Sequence, residues 1–126
     1  MSHCTLITAD KPLPLREEEV CCFCVYEHSY YRDSVNELGY PIKPYQYELS
    51  LRESEGALQA FKDYLALYFS SGEVLELWHL WVGTDPGPFY SWNGSLNDMD
   101  IDALKAFRNP SGKVGDLCQS RMTITI

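Results

Sequence analysis

The sequence predicts an α+β fold of two layers, a mixed or mainly antiparallel sheet of five or six strands with two helices packed on one face. Three observations carry that expectation. Residues 45–51 and the closing RMTITI alternate apolar and polar side chains with the period of a strand. VLELWHLWVG at 74–83 is apolar on both faces apart from Glu76 and His79, as a central strand is. Leu58, Phe61, Leu65 and Tyr68 recur at the spacing of one helix face. With 126 residues, 45% of them hydrophobic, and no long polar stretch between segments, the chain is expected to form one globular domain over 1–126.

Residues 5–9 are a short apolar run closed by Asp10, Pro12 and Pro14, which reads as an edge strand and an extended connection. Over 20–31 one set of side chains is Val20, Cys22, Cys24, Tyr26, His28 and Tyr30, the other Cys21, Phe23, Val25, Glu27 and Ser29. Both sets begin apolar and end polar, so this strand starts buried and emerges into solvent. Asp33, Asn36, Gly39, Pro41 and Pro44 make 32–44 an irregular connection with one helical turn at its start. At 45–51, Tyr45, Tyr47, Leu49 and Leu51 share the apolar face of a half-buried strand.

Ser54 is a suitable N-cap and Glu55 suits the positive helix end, giving a helix over 55–70 with Gly72 as a left-handed C-cap. The strand at 74–83 then completes a strand–helix–strand unit, right-handed if its strands are parallel in one sheet. TDPGPFYSWNGS at 84–95 reads as a loop or loose hairpin with sticky side chains. A second helix begins near Asp98 or Asp100 and runs through Ile101, Leu104 and Phe107 to Arg108, where Asn109 and Pro110 stop it. Residues 111–116 are loop. RMTITI is a terminal strand with one covered face, either inside the sheet or at an edge where it could pair with a second copy and make a homo-oligomer.

Ten Lys and Arg against eighteen Asp and Glu give a formal charge of -8. That field disfavours nucleic acid, which needs basic contacts to displace counterions, and it speeds encounter with a basic protein. The beginning of the chain shows no charged and then apolar leader, and no apolar run is long enough to span a bilayer, so the expectation is a cytoplasmic chain without membrane association. Five cysteines, two of them adjacent, fit reduced thiols better than a disulfide framework.

CCFC at 21–24 looks most like chemistry, but it is not a CxxC, and an extended strand separates side chains that a zinc site must gather. Cys22 and Cys24 would be the first ligands if a metal were held. The reading adopted is packing, with no metal and no cofactor. Glu76 and His79 differ by an odd number, so they point to opposite faces and cannot form an acid and base pair. They remain the candidate catalytic residues under the rival reading of a small hydrolase or transferase, which could also draw on a cysteine.

Asp85, Phe89, Tyr90 and Trp92, with Tyr30 and Tyr31, are the candidate partner-binding residues, because Tyr and Trp anchor interfaces and loops carry binding groups. The expected function is binding of a protein partner of basic character through an acidic, aromatic surface. One concrete form is neutralisation of a basic toxin, as small acidic immunity proteins achieve, an analogy of size and charge alone. No GxGxxG, P-loop, HExxH or GxSxG motif occurs.

Overall fold

The computed structural model describes residues 2–17, 23–85, 87–113 and 115–126. Its axis is β4 (Val74–Val82), a strand apolar on both faces that must be covered on both. β4 pairs antiparallel with β1 (Ser2–Ala9) on one side and with β6 (Gln119–Thr125) on the other. β1 carries β3 (Tyr45–Leu51), which carries β2 (Phe23–Glu27), all antiparallel, while β6 carries β5 (Phe89–Ser95) in parallel. The result is a six-stranded mixed sheet in the order β2-β3-β1-β4-β6-β5.

One face of this sheet bears Ile7, Leu49, Leu75, Leu77, Met122 and Ile124. Over it lie α2 (Glu55–Tyr68) and α3 (Ile101–Arg108), which contribute Leu58, Phe61 and Leu65, and Leu104 and Phe107, to the same buried cluster. Each such side chain, fully buried, contributes roughly 1.5–3 kcal/mol. Both helices start as their sequences predict, with Ser54 accepting from the Ala57 N–H at 3.2 Å and Asp100 from the Ala103 N–H at 2.8 Å. The opposite face carries Leu6, Trp78 and Leu80, and these are covered by a short helix α1 (Arg32–Glu37) through Val35, then by Leu38, Tyr40 and Ile42. α1 thus answers the apolar positions Trp78, Leu80 and Val82 of β4.

Several expectations change. The first strand is longer than 5–9 and lies inside the sheet, because residues 6–9 are buried on both faces. Past its prolines, the chain reaches the β2 edge, where Arg16 bridges Val25 with two backbone hydrogen bonds. α2 ends with Phe69 in extended backbone, and Gly72, at φ 90, shapes the turn into β4 while its N–H donates to the Ile126 carbonyl at 2.7 Å. Residues 84–95 are not all loop, since β5 occupies the second half. RMTITI lies in β6, between β4 and β5, and forms no edge. The strands of the β3–α2–β4 unit run parallel to each other with β1 inserted between them. The first part of the expected strand at 20–31, including Cys21 and Cys22, lies outside the described residues. Among the described residues no helix is long and apolar enough to cross a membrane.

Candidate functional site

β5 reads FYSWNGS, without a single charge, and stands at the end of the sheet. Two contacts fix its path. Gly87 passes so close to Leu117 that a Cβ there would lie 2.0 Å from the Leu117 carbonyl oxygen, and the Gln119 N–H donates to the Pro88 carbonyl at 2.8 Å. The chain is thereby pinned where β6 begins. Further on, Gly94 leaves room for the Trp92 indole, whose Cη2 would be 2.6 Å from a Cβ at that position. Parallel register with β6 then places Trp92 opposite Met122, on the face of α2 and α3, where it packs half-buried against the core.

Phe89 and Tyr90 remain 41% and 40% exposed and point to opposite faces of the strand. Tyr90 and Trp92, with Ala106 and Pro110 from the α3 side, border a mainly apolar pocket of about 200 Å³ beside the open edge. Phe89 faces the other way and meets Tyr40 at 5.2 Å between ring centroids and Trp78 at 6.0 Å. Arg121 lies over Trp78 and Phe89, at 5.4 Å and 5.8 Å from their rings. Asp85 is exposed before β5, and Asp98, Asp100 and Asp102 are exposed after it.

Of the six residues the sequence nominated for a partner, Asp85, Phe89, Tyr90 and Trp92 thus lie on or beside one strand. Tyr30 and Tyr31 do not join that strand; they precede α1, where Tyr30 is 84% exposed and meets Tyr31 edge-on. Tyr31 packs against the same second-face cluster that Tyr40 covers. Tyr40 and Arg121 complete the group around Phe89, and Arg121 carries no local signal in sequence.

Glu76 and His79 occupy opposite faces of β4. Glu76 is turned toward Arg121, with 3.8 Å between carboxylate oxygen and Nε, in the middle of the sheet and not at its edge. His79 is buried against α3, its Nδ1 2.9 Å from the Thr5 hydroxyl. Burial, and then the nearby charges of His3 and Arg108, push its imidazole down to about 4, so it is neutral at ordinary pH. Cys4 is buried nearby, and burial with the Glu48 carboxylate pushes its thiol up to about 12. Such a thiol is a poor nucleophile. Cys24 and Cys118 are buried as well, and Cys22 lies outside the described residues.

A further cleft, about 680 Å³, is an open hollow between Pro14 and Arg16 on one side and Tyr64, Leu67 and Tyr68 of α2 on the other. No known protein family matches the chain, nor does any curated protein or solved structure.

Proposed function

We propose that this protein is a binding domain for a basic protein partner, which adds an extended strand to the open edge of β5. Neutralisation of that partner by occupying its surface is the particular form the reading takes. The observation that carries it is the character of β5. Edge strands are normally blunted by charge, proline or cover because their unpaired backbone groups recruit other chains, and β2 is guarded in this way by the segment around Arg16. β5 has no charged residue and no proline, and it presents two exposed aromatic rings.

Strand addition draws affinity from main-chain hydrogen bonds, each worth roughly 0.5–1.5 kcal/mol net, and specificity from pockets that take alternate side chains. The pocket between Tyr90, Trp92, Ala106 and Pro110 suits one apolar anchor of such a strand. Asp85 at one end of β5 and Asp98, Asp100 and Asp102 at the other would meet basic residues flanking that anchor. The alternative of a small hydrolase or transferase gains little support, because Glu76 and His79 are separated by the sheet and the Cys4 thiol stays protonated.

The test is capture of partners from the native host followed by titration of the purified pair, with wild type beside Tyr90→Lys. Trp92 is left alone because it packs inside. A basic partner whose affinity falls at least about tenfold in Tyr90→Lys, and which weakens as salt is raised, supports the reading. A partner bound equally well by the variant, or an acidic partner, overturns it.

A further inference from the structure

β1 and β3 are paired over only part of their length. The ladder runs from Ala9↔Tyr45 to Leu6↔Glu48 and stops there, although β1 continues back to Ser2 and β3 continues on to Leu51. Continued pairing would set Thr5 against Leu49 and His3 against Leu51; instead the strands part and leave a cleft of about 470 Å³ between them. A notch inside a sheet exposes backbone groups that a ladder would otherwise satisfy, and buried backbone groups are nearly always paired. One of them, the Leu51 carbonyl, accepts a hydrogen bond from the Arg108 guanidinium, which reaches in from the end of α3.

The side chains gathered at the notch are unlike the rest of this acidic molecule. On the helix-covered face stand His3, Thr5, His79 and Arg108, all cationic or able to donate a hydrogen bond. The His3 ring lies 5.2 Å from that of His79 and 4.9 Å from that of Trp81. Arg108 has its other terminal nitrogen 3.4 Å from Glu53, a partly exposed pair at the rim that a better acceptor could replace. On the opposite face Glu48 is the facing acid, beside Cys4, Tyr26 and Tyr31. Apart from Glu53 at the rim, the positive and negative groups of the notch are thus sorted to the two sides of the sheet.

We propose that this notch is a binding site for a small oxyanion, a carboxylate or a phosphate, held on the helix-covered side by Arg108, His3 and the Thr5 and His79 pair. A guanidinium matches the planar fork of a carboxylate and the oxygens of a phosphate, and charge-assisted bonds of this kind are about twice as strong as neutral ones. The volume lies within the range of small-molecule sites, and Leu49 and Leu51 give an organic acid an apolar wall. Burial and the positive charges of His3 and Arg108 together hold the His79 imidazole down, the kind of field that an anion would relieve. This inference is independent of the β5 reading, since the notch lies between β1 and β3 and not on that edge.

The experiment is NMR of the full chain, following the histidine rings and the Arg108 side chain while sodium acetate and inorganic phosphate are added in separate titrations at constant ionic strength and pH. The expected result is saturable shifts of His3, His79 and Arg108 with at least one of the two anions below about 50 mM, weakened at least about tenfold in Arg108→Gln and left unchanged in Lys105→Gln. Saturation by acetate alone assigns a carboxylate ligand, and saturation by phosphate alone assigns a phosphate. His3→Asn decides the matter should Arg108→Gln fail to fold, because His3 lies at the exposed start of β1. Linear, unsaturated shifts with both anions, or binding unaffected in the folded variants, would overturn the proposal.

Discussion

His79 shows how one buried titratable side chain sets a pH limit. Its imidazole falls from the ordinary 6.5 to about 4 in the folded state, through burial first and then the charges of His3 and Arg108. The unfolded chain therefore binds a proton between those values while the folded chain does not, so stability is lost as pH drops from about 6.5 toward 4. The shift is worth ~3 kcal/mol. His28 adds to the trend: it is 2% exposed, neither ring nitrogen has a hydrogen-bond partner among the described residues, and burial and Arg32 lower its pKa too. Urea midpoints measured at pH 7 and pH 4.5 are expected to show the loss in wild type and a smaller loss in His79→Gln. Equal losses in both would show that His79 is not the origin. The odd spacing of Glu76 and His79 is enough to separate them onto two faces, yet nothing local marks Thr5 or Arg108 as the surroundings of His79, because those residues lie 74 and 29 positions from it in sequence.

Helices were the most legible elements, since their caps and periodicity lie within a few residues. Ser54→Ala and Asp100→Ala should each cost about 1 kcal/mol in chemical denaturation, with little change in the denaturant dependence. Costs near zero would mean that tertiary packing alone defines the two helix starts. Strand β3 was equally plain from its alternation. β5 was not legible, and the reason is physical: its flanking prolines and glycines are real turn formers, but the strand is created by β6, its ladder partner some thirty residues later. The candidate surface was therefore half readable. Its aromatic residues could be named from composition, while their presentation along a bare strand edge depended on pairing that no short window contains. The same limit explains why β1 was assigned to an edge: local sequence reports a strand's faces, not its neighbours.

At the scale of the whole molecule, the sheet is assembled from contacts distant in the chain, with β1 beside β4 and β6 beside both β4 and β5. A fragment ending at residue 118 would lack β6, and with it both the ladder to β4 and the support of β5. That fragment is expected to give no cooperative thermal transition, against a sharp one for the full chain. A cooperative transition in the fragment would show that the four strands on the β2 side fold alone. The formal charge of -8 was legible at once and bears on which molecules approach, but it does not choose among sheet orders.

β6 follows both of its ladder partners in the chain, yet it fills a slot between them inside the sheet. Until residues 119–125 have cleared the exit tunnel, the growing polypeptide exposes two raw strand borders, on β4 and on β5, to whatever else is in the vicinity. Synthesis pauses in this stretch would prolong that exposure, and a chaperone that shields bare β-structure during the wait would raise the yield of folded product.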